Sequence, residues 1–144
     1  MATNGNDGAQ QTPRTELART LLALADPIRL RMLNLMFAGA LSPQQFAQVL
    51  GVDEKAVSRH LALFRDSRLV AWRTKNNIKH YTVRKEFECR HFGLLSLAIE
   101  LLKDDSELRA DIAVFSLHRT EYQHVQADTQ APQLTRFEAV CVGH

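Results

Sequence analysis

Ser42–Phe64, SPQQFAQVLGVDEKAVSRHLALF, reads as two helices joined by a three-residue turn. Ser42 can cap the first helix, Pro43 suits its first position, and Gln45 completes a capping box. Phe46, Val49 and Leu50 face inward. Gly51 stops the helix, Val52 follows, and Asp53 caps a second helix with Glu54 in its first turn. Val57, Leu61 and Phe64 step along the buried face of that second helix. Two helices meeting through so short a turn have the sequence form of a helix-turn-helix. The outward face of the second helix carries Lys55, Ser58, Arg59 and Ala62. Small and polar residues near its N-terminal end let a backbone approach closely, and an arginine can read guanine with two hydrogen bonds. His60 sits beside Leu61 on the buried edge and has two readings: it packs or caps locally, or it touches phosphate.

Working outward toward the N-terminus, Asp26-Pro27 pairs a cap with a first-turn proline and opens a further helix that Gly39 ends. Ile28, Met32 and Leu35 line one of its faces, and Leu30, Leu33 and Phe37 another; a helix apolar on two faces is buried. Arg29 and Arg31 fall on its exposed side. Thr12-Pro13 repeats the start signal, and Leu17, Leu21 and Leu24 make a first helix to about Ala25. Residues 1–11 lack any period and read as a disordered tail.

Toward the C-terminus, the period switches from helical to two after Leu69. Val70, Trp72 and Thr74 alternate with Ala71 and Arg73; Lys75-Asn76-Asn77 is a turn, since Asn tolerates positive φ; Ile78–Val83 returns. This is a β-hairpin with Arg73, Lys75 and Lys79 near its tip. Placed directly after the second helix of a helix-turn-helix, it is a wing, where positive charge can hold a flanking backbone. Residues 85–103 form a long helix, with Phe92, Leu95, Ile99 and Leu102 on one line and Leu94, Ala98 and Leu101 on a second. One line covers the domain's own core; the other needs a partner, and a second copy is the simplest. Asp104-Asp105-Ser106 breaks this helix, Leu108, Ile112 and Phe115 predict a further short helix, and residues 123–144 read as irregular. The organisation is a tail (1–11), a winged helix-turn-helix and dimerisation domain (12–103) and a C-terminal extension (104–144).

Charge follows the same division. Residues 53–90 hold ten Lys and Arg against five Asp and Glu, whereas residues 91–144 hold four against eight. A basic middle with an acidic C-terminal third suits a chain that presents one face to a polyanion. The apolar runs are far short of the roughly 20 residues of a membrane helix, and the N-terminus has no secretion signal. With two cysteines, Cys89 and Cys141, and no disulfide framework, the expectation is a reduced, cytoplasmic protein with no membrane partner. No Gly-rich phosphate loop or paired-carboxylate site is visible, and Cys89 and His91, two apart on a helix, point to different sides; the chain is read as a non-enzyme.

LADPIRLRML (Leu24–Leu33), FAQVLGVDEKAVSRHLALFRDSRLV (Phe46–Val70) and HYTV (His80–Val83) together resemble the winged-helix regulators of the arsenic-repressor (ArsR) type, over about residues 15–103. The resemblance implies a mainly α (α+β) winged helix-turn-helix with a two-stranded wing. It implies a homodimeric repressor of a double-stranded DNA operator. Its first and last helices would make the dimer, here through Leu17, Leu21, Phe92, Leu95, Ile99 and Leu102. The operator contacts would come from Lys55, Ser58, Arg59 and His60 of the recognition helix, Ser42 and Gln44 ahead of it, and Arg73, Lys75, Asn76 and Lys79 of the wing. Members often release DNA when a metal or metalloid binds or a thiol is oxidised. This sequence departs from them in two places. Leu41–Phe46, where metal sensors carry a Cys-x-Cys box, has no Cys, and on the last long helix Glu88 and His91 offer only a fragment of the other common site. Cys89, His91, Cys141 and His144 would supply four ligands suited to zinc, or two thiols for a disulfide switch; the plain alternative is two isolated cysteines. No resident cofactor is expected, and a metal or thiol-reactive inducer enters only through those four residues. A reading of a different class, a winged-helix module that binds protein, would want an apolar or acidic recognition face, whereas this one is basic and polar.

Overall fold

The computed structural model describes residues 12–126, apart from the side chains of 85–90, 92 and 120–126. Along them run α1 (Pro13–Leu24), α2 (Pro27–Ala38), α3 (Pro43–Leu50), α4 (Glu54–Asp66), β1 (Val70–Lys75), β2 (Ile78–Val83), α5 (Lys85–Leu101) and α6 (Ser106–Gln126). The expected N-terminal tail lies outside the described residues.

The first three helices begin as their sequences require. Thr12 Oγ1 accepts the Thr15 N–H at 3.3 Å. Asp26 Oδ1 accepts the N–H groups of Ile28 and Arg29 at 2.8 and 3.1 Å. At α3, Ser42 Oγ accepts from Gln45 N while Gln45 Oε1 accepts from Ser42 N, a complete capping box. Each such cap satisfies donors the helix cannot pair itself, and contributes about 1 kcal/mol. Asp53 stands at the cap position of α4, but its side chain makes no capping bond. The carboxylate is exposed, where water satisfies it.

The core is built around α2. Met32, Leu33, Leu35 and Met36 are buried on it, and α1, α3, β2 and α6 all pack against it. Phe46, Val57, Leu61, Phe64, Leu69, Val70, Tyr81 and Val83 join the same cluster from α3, α4 and the hairpin. The hairpin pairs Val70 with Val83, Trp72 with Tyr81 and Lys75 with Ile78. Its turn is two residues, Asn76 and Asn77, both at positive φ (51° and 62°), so Lys75 closes β1 rather than entering the turn. Leu41 exchanges both backbone hydrogen bonds with Tyr81, at 3.1 and 2.8 Å, and so pins the hairpin to the start of α3.

Four expectations are corrected here. Arg29 and Arg31 are not solvent-facing: their side chains are 12% and 15% exposed. α6 is no short helix but runs 21 residues to Gln126, past the point where irregular chain was expected. It is held by packing that has no local signature: Phe115 enters the core, a Cβ on Gly39 would stand 3.0 Å from the Phe115 ring, and Arg31 grips Asp111 through two bonds of 2.8 Å. α5 kinks at His91, two residues before Gly93, a residue of poor helix propensity. Lastly, Leu95, expected to face a second copy, is fully buried in the chain's own core, and Ile99 packs against that core. Leu17 and Leu21 are exposed as expected, Leu102 is half-buried, and the Phe92 side chain lies outside the described set.

Candidate nucleic-acid interface

The turn between α3 and α4 depends on Gly51. Its φ of 66° is left-handed, its N–H donates to Ala47 O at 2.9 Å, and a Cβ there would meet nothing within 4 Å. The demand at this position is therefore conformational rather than steric. Val52 N also donates to Ala47 O, and α4 starts two residues later. Val57, Leu61 and Phe64 then fasten one face of α4 into the core. Lys55, Ser58 and Arg59 are left exposed on the other, with the half-buried Ala62 beside them. Lys55 and Arg59 make no hydrogen bond or ion pair among the described residues. A stripe of unneutralised cations on a rigidly held helix is suited to a polyanion, and the short Ser58 and Ala62 side chains let a duplex come close.

Two predicted contacts sit elsewhere. Ser42 is buried and its hydroxyl caps α3, so it faces inward; Gln44, two residues on, is exposed. His60 is half-buried, and its Nδ1 lies 3.3 Å from the Arg29 guanidinium. The Arg29 side chain also donates to the carbonyls of Ala23 (2.6 Å) and Leu22 (3.2 Å) in the last turn of α1, and Asp26 Oδ2 lies 3.8 Å from it. Burial pushes the His60 imidazole below its ordinary value of 6.5; Asp26 opposes this, and Arg29 and Arg59 add to it. For Asp26 itself, burial pushes the carboxyl up, but the Arg29 N–H, the Arg29 guanidinium, the Ile28 N–H and His60 outweigh it and hold the group below 3.8.

The wing divides its charges between two faces. Arg73 pairs with His80 and Lys75 with Ile78 on one face; Trp72 pairs with Tyr81 and Thr74 with Lys79 on the other. Arg73, Asn76 and Lys79 are exposed. The Lys79 ammonium stands 5.4 Å from the Trp72 ring, a cation–π contact, and Trp72 tilts against Tyr81 at 6.1 Å. Lys75 is half-buried, and its ammonium is covered without a hydrogen-bond partner among the described residues. Trp72, 45% exposed on the wing, was not among the candidate site residues; the alternation of the strand named it without saying which face it takes.

Of the four metal and thiol candidates, only the His91 side chain lies among the described residues. Among the described residues, no three His, Cys, Asp or Glu side chains are grouped to hold a metal. The Cys89 side chain, Cys141 and His144 lie outside them. At Leu41–Phe46, the buried Leu41, Ser42 and Phe46 offer no ligand for a soft cation. No helix among the described residues is long and apolar enough to cross a membrane.

A helix-turn-helix with a two-stranded wing behind it, basic on its outward face, defines a winged-helix DNA-binding protein. Residues 26–71 match the family model of the bacterial regulatory proteins of the arsR family. That stretch, from the first turn of α2 into β1, is thus a regulatory domain of the arsR type. Among solved structures it is similar to HlyU from Vibrio cholerae N16961, at 25% identity over 63% of this chain and 96% of that one, with a TM-score of 0.55. It is also similar to the transcriptional regulator HlyU from Vibrio vulnificus CMCP6, at 26% identity over 61% and 88%, with a TM-score of 0.52. A third is the homodimeric winged helix-turn-helix DNA-binding domain of Mb0332 from Mycobacterium bovis, described as a possible ArsR-family regulator: 25% identity, 69% and 91% covered, TM-score 0.54. Among curated protein sequences, none matches the chain.

Proposed function

We propose that the protein is a homodimeric repressor that acts by binding a double-stranded operator, with α4 in the major groove and the wing on the flanking backbone. One observation carries this reading. Lys55, Ser58 and Arg59 stand exposed along α4 with no acceptor among the described residues, while the opposite face of the helix is locked in the core. Arg59 would read a base edge; Lys55, Gln44, Arg73, Asn76 and Lys79 would hold phosphates. Dimerisation is supported by leucines left outside: Leu17, Leu21 and Leu22 on α1, and Leu97 and Leu101 on α5. These replace Leu95 and Ile99 in the expected interface. Two copies joined there would present half-sites roughly 34–36 Å apart. The action is binding alone, with no reaction, in the compartment that holds the DNA.

The test is fluorescence anisotropy of the full chain with a duplex enriched from a random-sequence pool, against its scrambled counterpart, at two salt concentrations. Saturable, salt-sensitive binding that favours the enriched duplex is expected. Failure of the pool to yield any preferred duplex would overturn the reading in favour of a protein-binding winged helix.

A further inference from the structure

Arg29 joins three elements. It bonds the last carbonyls of α1, stands on the first turn of α2, and reaches His60 in the middle of α4. A guanidinium only donates, so the imidazole must accept at Nδ1 and is neutral, with its proton on Nε2. That assignment follows from the partner's chemistry. A second link runs from the end of α4 to α1, where Ser67 Oγ lies 3.5 Å from Arg19 O. The recognition helix is thus tied by side chains to α1, the helix whose exposed leucines are assigned above to the second copy.

We propose that Arg29 and His60 are a positioning pair, which fixes the recognition helix against α1 so that base discrimination depends on a neutral imidazole at residue 60. The inference rests on the operator-binding reading. His60 neighbours Arg59 on the same helix, and its Nδ1 is already engaged, so it acts through the placement of that arginine. Bidentate base reading needs hydrogen-bond distances and angles, and a small tilt of α4 loses it. Phosphate attraction falls slowly with distance and survives the same tilt. Protonating His60 would set a donor and a cation against Arg29. The charged groups that face the ring are Arg29 from α2, Asp26 from the α1–α2 junction and Arg59 from its own helix.

The experiment compares wild type, His60→Ala and His60→Asn on the enriched and scrambled duplexes, at about pH 7.5 and about pH 5. Asn places a neutral amide oxygen near the Nδ1 position and cannot titrate. His60→Ala is expected to lose about tenfold in preference for the enriched duplex, with the salt slope unchanged. His60→Asn should restore most of that preference at neutral pH, and should keep it on acidification where wild type loses it. If His60→Ala fails to fold, as judged by circular dichroism, the Asn variant alone decides. An Asn variant whose preference falls with acid as wild type's does overturns the pair. So does an Ala variant weakened equally on both duplexes with a shallower salt slope, which would make His60 a phosphate contact. An unaffected Ala variant beside a selective wild type overturns the pair and leaves the repressor reading standing; a wild type with no preference overturns both.

Discussion

Helices α2 and α4 both carry cations, and they use them in opposite ways. On α2, Arg29 and Arg31 are turned into the protein: one is spread over carbonyls and an imidazole, the other is bound to a carboxylate that is itself 4% exposed. On α4, Lys55 and Arg59 are exposed and make no hydrogen bond or ion pair among the described residues. The cause is packing. α2 is enclosed by α1, α3, β2 and α6, so its arginines find only protein partners, whereas α4 is covered on one face. A positive residue in the sequence therefore says little about ligands until its neighbours are known, and for Arg31 the neighbour is 80 residues away.

The largest effect expected from testing this contrast is on α2. Arg31→Ala strands the Asp111 carboxylate and should lower unfolding free energy by about 3 kcal/mol, read by urea denaturation, without changing the preference among duplexes. A loss under about 1 kcal/mol would erase the difference between the two helices. Arg59→Ala should do the reverse. Stability should stay within about 0.5 kcal/mol, while discrimination at one base position falls by about 1–3 kcal/mol; equal weakening on a scrambled duplex would demote it to a phosphate contact. Asp26→Ala removes a cap and a partner of Arg29, at about 1 kcal/mol. Because the folded-state pKa of Asp26 lies below 3.8, its contribution is present above that value and is lost as pH falls through the folded pKa. Melts of wild type and variant should therefore converge in that acid window. The smallest change is Arg73→Ala on the exposed wing, which should weaken binding to every duplex alike and lower the salt slope by about one.

Much of the candidate site was legible in the chain. Ser42-Pro43, Gly51 and the stepping of Val57, Leu61 and Phe64 define the recognition unit, because capping, left-handed turns and helical periods are written in residues a few positions apart. The burial of Ser42 and the turning of His60 toward Arg29 were not, since both depend on which element packs alongside.

The sequence by itself determined the starts of α1 to α3, the helix-turn-helix, and the hairpin with its Asn76-Asn77 turn, all consequences of local backbone and capping energetics. Tertiary structure alone decided that α6 closes over α2 through Asp111 and Phe115, that Leu95 belongs to the chain's own core, that Leu41 pairs with Tyr81, and that Arg29 holds the recognition helix. Those contacts join residues tens of positions apart. Their energy comes from burial and from pairing charge away from water, and such pairing leaves no periodic trace along the chain.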